Sequence, residues 1–329
     1  MEEVRLGTIG SGVIVHSVLD NVMSTEGIKL EAVYSRTHER AEGLAAEYGA
    51  AKAYTDMEVF LGDDAVNTVY IALPNILHYS YAKAALFAGK HVICEKPLVT
   101  KYTHAQELSD IAAERGLFLF EAVPTMYLPN YELLREKLPE IGRVKLVMSN
   151  YSQYSSRYDA VLRGEKPNIF SLEYAGGSLM DINYYNVLLN VLLFGCPERA
   201  KYYPNMYPGL ADTSGVLLME YDGFVSSNAG AKDTWGINHF TIEGEKGYIQ
   251  IAEPNGIKSV MVVTRSGEWT YNEQGVFDRW KYEVEGIVKL MHGDDYAGMR
   301  ARLKVSLDAV RVMEGARLDA GIIFPEDEM

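Results

Sequence analysis

The first third of the chain repeats one unit: a short run of almost wholly apolar residues, then an amphipathic stretch. The runs are VRLGTIG (4–10), KLEAVYS (29–35), NTVYIALP (67–74), KHVICEK (90–96) and GLFLFEA (116–122). The stretches between them include THERAEGLAAEYG (37–49) and ILHYSYAKAALFAGK (76–90), which carry helical periodicity. The second places Ala82 and Leu86 on one face and stops at Gly89. Strands without a polar face must be covered on both sides, and crossover helices between parallel strands do this. The pattern predicts an N-terminal Rossmann-type, doubly wound parallel sheet.

The pattern changes near Arg143. TSGVLLMEYDGFVSSNAGA (213–231) reads as two strands joined by Asp222-Gly223, a strong hairpin signal. GEKGYIQI (244–251) and EPNGIKSVMVV (253–263) continue with turn-marked strands. These predict a C-terminal α/β domain on an open, mostly antiparallel sheet. A helical stretch from about Phe277 to Leu318 is interrupted at HGDD (292–295). A length of 329 residues suits about two domains. We expect one domain over 1–123 and a second over 124–329, with the C-terminal helix packing back on the first.

Charge and cysteine usage narrow the partners. The chain has 31 basic and 45 acidic side chains, a net charge of -14. A field of that sign disfavours nucleic acid and anionic membranes. Cys94 and Cys196 are the only cysteines, which fits a reducing, cytoplasmic setting better than a disulfide framework. The acidic start MEEVRLGTIG runs straight into a strand, so no signal peptide is expected. The apolar stretch 187–194 contains Asn190 and is too short to span a bilayer. Seven scattered histidines, with no HExxH, give no support for a metal.

GTIGSGVIV (7–15) follows the first strand directly. Gly10 and Gly12 lie where the backbone must turn tightly and let a pyrophosphate approach, and the next helix offers free N–H groups and the positive end of its dipole. Val13 opens that helix. Val15 takes the third fingerprint position, normally Gly or Ala, so the alternative of a ligand-free glycine turn stands beside the nucleotide one. At the tip of the second strand, Ser35-Arg36-Thr37 replaces the acid that would hold an NAD ribose; Glu31 lies mid-strand. A guanidinium flanked by hydroxyls suits a 2′-phosphate, so the expected cofactor is NADP, with NAD as the alternative and a solvated Arg36 as the bland reading.

ALPNILHYSYAKAALFAGKHVICEKPL (72–98) resembles the hallmark segment of the Gfo/Idh/MocA oxidoreductases. GGSLMDINYYNVLLNVLLFG (176–195) is similar to the second motif of that family and SLDAVRVMEGARLDAGIIF (306–324) to its closing helix. The resemblance covers essentially the whole chain. It implies that Lys96, followed by Pro97, lies beside the nicotinamide, and that Leu73, Pro74, Asn75, His78 and Glu95 line the cofactor cleft. A strand-end ion pair is the bland reading of Glu95-Lys96. Asp181 and Tyr185 are four apart on an expected helix and share a face. Many members have His at the Tyr185 position; Tyr there points to the dihydrodiol dehydrogenase and glucose-fructose oxidoreductase branches. Asn183 replaces the usual Gly. Ser178-x-x-Asp181 also reads as a helix cap, and Tyr185 also reads as a core aromatic.

The implied chemistry is hydride transfer between nicotinamide and a sugar, polyol or trans-dihydrodiol hydroxyl. Tyr185 is the expected acid/base, Lys96 lowers its pKa and stabilises alkoxide, and Asp181 orients Lys96 or a substrate hydroxyl. NYSQYSSRYD (150–159) and AKDTWGINHF supply Tyr154, Arg157, Tyr158 and Trp235 as substrate contacts, with Tyr151 and His239 as weaker candidates that could equally cover a sheet face. Two other activities share the fold: a catalytically silent nucleotide- and sugar-binding sensor, and a redox-neutral enzyme with tightly held nicotinamide. The open sheet of the second domain leads us to expect a homodimer or larger homo-oligomer.

Overall fold

A computed structural model of the protein describes residues 3–276 and 278–328. The chain divides into two compact units. One comprises Met1–Val123 with Trp280–Leu307, the other Pro124–Arg279 with Asp308–Met329.

The first unit is built on β1 (Val4–Ile9), α1 (Val13–Val22), β2 (Ile28–Tyr34), α2 (His38–Tyr48), β3 (Lys52–Tyr54), α3 (Met57–Leu61), β4 (Thr68–Ile71), α4 (His78–Phe87), β5 (His91–Glu95), α5 (Tyr102–Arg115) and β6 (Leu119–Ala122). Its six strands run in the order β3-β2-β1-β4-β5-β6, with every pairing parallel. The expected doubly wound sheet is therefore present. β4 and β6 are buried along their whole length, as strands covered on both faces must be. The strand order reverses between β1 and β4, so the loops leaving these strands open the crevice where such sheets bind ligands.

The second unit contains α6 (Pro129–Lys137), β7 (Val144–Ser152), α7 (Tyr158–Leu162), α8 (Tyr184–Phe194), β8 (Arg199–Met206), β9 (Asp212–Tyr221), β10 (Phe224–Ala231), β11 (His239–Gly244), β12 (Gly247–Ala252), β13 (Val260–Thr264) and β14 (Gly267–Tyr271). The eight strands form one sheet, β14-β13-β12-β11-β7-β10-β9-β8. β7 and β10 pair in parallel and the other neighbours are antiparallel. Turn residues 222 and 223 close the β9–β10 hairpin as the sequence predicts, with Gly223 at φ 84. Val147, Leu217, Met219, Phe240, Ile242 and Ile249 alternate onto the buried face.

α8 does not meet this sheet through apolar contacts alone. Asn228 of β10 binds Asn190 and Ser149, each at 2.8 Å. Asn183 donates to Asn228 O at 3.1 Å, and Asn186 donates to Asn183 Oδ1 at 2.8 Å and Ala229 O at 2.9 Å. A Cβ at residue 230 would lie 2.6 Å from that of Asn183, so a glycine there lets helix and sheet close together. The asparagine that departs from the family motif thus registers the helix on the sheet.

The helical tail is α9 (Arg279–His292) and α10 (Tyr296–Asp319), separated at the predicted break. Phe277, the expected start of this stretch, lies outside the described residues. Residues 280–307 group with the first unit, and 308–319 with the second. Arg317 is fully buried and forms a two-pronged ion pair with Asp327, at 2.5 and 2.8 Å. Among the described residues, no helix is long and apolar enough to cross a membrane.

Candidate active site

The turn after β1 is shaped around its glycines. Gly10 has φ 115, its N–H donates to Tyr34 O at 3.1 Å, and a Cβ there would sit 2.3 Å from Ala72 O. Only glycine fits. Gly12 is the N-cap of α1 and has no side-chain cap; nothing lies within 4 Å of where its Cβ would project. An uncapped helix start with open space before it is a cradle for a phosphate group. Val13 stands at that mouth, 86% exposed. Val15, the departure from the fingerprint, lies in the first turn of α1 and is fully buried. A dinucleotide therefore fits the residues present.

At the tip of β2, Ser35 is buried and its hydroxyl lies 3.4 Å from that of Ser11, which joins the tip to the glycine turn. Arg36 is exposed next to it. Glu31 is held by Lys29 at 2.9 Å. No carboxylate stands at residues 35–37, the tip itself.

Leu73, Pro74 and Asn75 leave β4 half-buried. Two of the residues expected to line the cofactor cleft have buried side chains. His78 is fully buried, with Nδ1 2.8 Å from Pro97 O and Nε2 2.8 Å from Leu73 O. Burial holds its pKa below the ordinary histidine value, and a neutral ring donates to one carbonyl at a time. It ties together the two loops that carry Asn75 and Lys96. Glu95 likewise points inward, accepting from Tyr70 Oη at 2.7 Å and from the Lys96 N–H at 3.2 Å. Burial raises its pKa. It fixes the backbone of Lys96, which is half-buried at the sheet's C-terminal edge. The Lys96-Pro97 peptide is cis.

In the second unit, residues 179–183 form a π-helical turn that runs into α8. Such turns, closed by i→i+5 bonds, recur at functional sites. Asp181 lies in this turn and Tyr185 at the start of α8. The expected Ser178–Asp181 cap is absent: the Ser178 side chain makes no cap bond, and the Leu179 N–H donates to Asp212 Oδ2 at 2.8 Å. Asp212 also accepts from Tyr202 Oη at 2.6 Å, and burial pushes its carboxyl pKa up to about 6. Asp181 forms an ion pair with Lys232. Tyr185 is mostly buried, packed edge-on against Tyr151 with ring centroids 5.7 Å apart, and the Arg279 guanidinium lies 6.0 Å from its ring. Asn255 donates to Tyr151 Oη at 2.6 Å and orients that ring.

The aromatic residues expected at the substrate end are gathered together. Trp235 stacks on Tyr154 (5.8 Å, 11°), and Tyr154 meets Tyr158 edge-on (5.9 Å, 88°). Tyr158 packs against Phe170 at 5.9 Å, and the Lys232 ammonium lies 5.7 Å from the Phe170 ring. A continuous row thus leads from Trp235 to Asp181. Tyr154 donates to Asp159 at 2.6 Å. Arg157 is exposed at the start of α7. His239 binds Ile237 O at 3.1 Å and makes no ring contact with this row. Sequence reasoning passed over Lys232, although it lies in the quoted AKDTWG; its one signal is a lysine directly after a buried strand.

A glycine-cradled turn at a sheet switch point is the arrangement of a nicotinamide-dependent oxidoreductase. Residues 4–123 match the oxidoreductase family with an NAD-binding Rossmann fold, GFO_IDH_MocA. The chain is 34% identical over 330 residues to scyllo-inositol 2-dehydrogenase (NADP(+)) IolU of Bacillus subtilis (strain 168), covering 99% of each. It is 29% identical over 344 residues to the trans-1,2-dihydrobenzene-1,2-diol dehydrogenase of Sus scrofa, covering 98% of this chain and 99% of that one. The fold also matches KijD10, a 3-ketoreductase from Actinomadura kijaniata in complex with NADP and TDP-benzene, with a TM-score of 0.85 at 20% identity, over 96% of this chain and 98% of that chain. The protein belongs to the Gfo/Idh/MocA family of oxidoreductases.

Proposed function

We propose that the protein is an NADP-dependent dehydrogenase, or in reverse a reductase, of a small cyclic polyol, sugar or trans-dihydrodiol. The observation that carries this reading is the pairing, within one unit, of Asp181 and Tyr185 at the start of α8 with a row of aromatic side chains ending at Trp235. Aromatic faces suit the C–H faces of sugar and inositol rings, and the Tyr/Asp pair suits hydroxyl chemistry. Full-length likeness to dehydrogenases of scyllo-inositol and a dihydrodiol supports it.

The division of labour follows the chain: residues 1–123 hold the nucleotide and 124–329 the substrate. Gly10 and Gly12 admit the pyrophosphate, and Ser35 and Arg36 hold the 2′-phosphate. The nicotinamide, when bound, supplies the hydride acceptor. Tyr185 takes the hydroxyl proton, Lys96 stabilises negative charge on the substrate oxygen and favours the phenolate, and Asp181 orients the substrate hydroxyl. Tyr154, Arg157, Tyr158 and Trp235 bind the remainder of the substrate.

We also propose a homodimer through the outer face of the eight-stranded sheet. Met148, Tyr203, Val216, Val225 and Tyr248 stand exposed there, apolar surface that a second copy would cover. Light scattering that gave a monomer at working concentration would remove this part. Low cysteine usage, with Cys94 and Cys196 far apart in the sequence and in no metal-like spacing, favours a cytoplasmic location.

The test of function is incubation with NADP+ and a panel comprising scyllo-inositol, D-xylose and trans-1,2-dihydrobenzene-1,2-diol, following nicotinamide absorbance. Net reduction supports the dehydrogenase. Product without net reduction indicates a redox-neutral cycle, and binding with neither indicates a sensor.

A further inference from the structure

Lys232 is a buried lysine paired with Asp181, the carboxylate to which the proposed function gives an orienting role. Its side chain is 5% exposed, whereas that of its partner Asp181 is 30% exposed. Its backbone N–H donates to Thr213 O at 2.8 Å, which anchors it at the end of β10. The two other carboxylates nearby in the sequence of this region are engaged elsewhere. Asp212 accepts from Tyr202 and the Leu179 N–H, and Asp233 from Thr213 Oγ1 at 2.7 Å and Ser214 Oγ at 3.0 Å. An ammonium taken out of water needs a paired anion, and Asp181 supplies it. The Phe170 ring lies 5.7 Å from the same ammonium and carries the contact on to Tyr158 and the aromatic row.

We propose that Lys232 is a positioning residue for the hydride-transfer reaction. It holds the Asp181 side chain in its ionised form and fixed direction on the π-helical turn, and so couples that carboxylate to the aromatic row that receives the substrate. Lys232 acts through Asp181 and touches neither nucleotide nor substrate. This rests on the proposed function, because it assigns Lys232 a part in that reaction. It differs from a purely structural ion pair in one respect: its contribution to turnover passes through Asp181.

A double-mutant cycle in the full-length protein tests this. Lys232→Met keeps most of the side-chain volume and removes the charge; Lys232→Arg keeps the charge. With the best substrate of the panel, Lys232→Met lowers kcat roughly 10- to 100-fold, the usual size of an orienting partner's effect, with the KM for NADP+ unchanged. Lys232→Arg recovers most of that loss. In an Asp181→Asn background, Lys232→Met costs nothing further. An undiminished kcat in Lys232→Met, or a loss of equal size in the Asp181→Asn background, overturns the proposal and leaves the functional reading intact. Circular dichroism of each variant separates misfolding from lost positioning, and Lys232→Arg carries the test should Lys232→Met not fold: wild-type kcat supports the proposal, and a loss that persists in Asp181→Asn overturns it. If the wild type turns over no panel member, the functional reading fails separately. Carbon-13 titration of the Asp181 carboxyl then decides for Lys232: a higher pKa in Lys232→Met supports the coupling, and an unchanged one overturns it.

Discussion

Asp212 Oδ2 accepts the N–H of Leu179 at 2.8 Å, so a carboxylate from β9 caps the turn that presents Asp181. Its folded pKa, about 6, lies above the ordinary 3.8 because the group is buried. For a raised carboxyl pKa the protonated form is favoured in the folded state. The stabilising contribution is full below pH 3.8 and is lost as pH rises through about 6. The shift corresponds to about 3 kcal/mol. Urea titrations across pH 3.5–7 should show this slope in the wild type and not in Asp212→Asn. Identical slopes would show that Asp212 does not titrate in this window.

Lys96→Ala and Tyr185→Phe should each lower kcat on the order of 10²–10⁴-fold, the range for loss of one charge-stabilising or acid/base group. NADP+ affinity should change little in Tyr185→Phe. Fluorescence titration of NADPH binding beside steady-state kinetics separates the two effects. Near-wild-type turnover in either variant would exclude that residue from the chemistry.

Arg36→Ala should raise the Kd for NADP+ by about 10- to 100-fold, the value of a charge-assisted contact to phosphate. The Kd for NAD+ should barely move, because NAD+ lacks the 2′-phosphate. Isothermal titration with both nucleotides reads this directly; equal losses for the two would mean that Arg36 holds no 2′-phosphate.

Gly10→Ala should abolish nucleotide binding and destabilise the first unit. Its φ of 115 alone costs a side-chain residue roughly 1–3 kcal/mol, and the added methyl would lie 2.3 Å from Ala72 O. Thermal melts with and without NADP+ test it: the variant should melt lower and gain nothing from nucleotide, and a normal ligand-induced rise in Tm would contradict the cradle.

The parallel sheet was legible because β4 and β6 are apolar on both faces, and the β9–β10 hairpin because Asp222-Gly223 admits few other conformations. The tight turn at Gly10 was legible for the same local reason. What the sequence hid was direction. His78 and Glu95 lie in the right segments, yet their side chains point into the protein, toward Pro97 O and Tyr70, and side-chain direction depends on neighbours far along the chain. Ser178-x-x-Asp181 has the spacing of a cap, but Asp212, more than thirty residues later, takes that task. Lys232 was hidden because a lysine after a strand usually faces water; only the fold shows it buried against Asp181. The parallel pairing of β7 with β10 inside an otherwise antiparallel sheet has no local signature either.

Trp235 is 77% exposed yet stacked on Tyr154. An indole with one side in water and the other on a phenol has an emission that responds to whatever displaces the water. The protein therefore carries its own optical probe at the mouth of the aromatic row. With Trp269 and Trp280 as the only other indoles, replacing these two would leave a single fluorophore able to report candidate ligands that are never turned over.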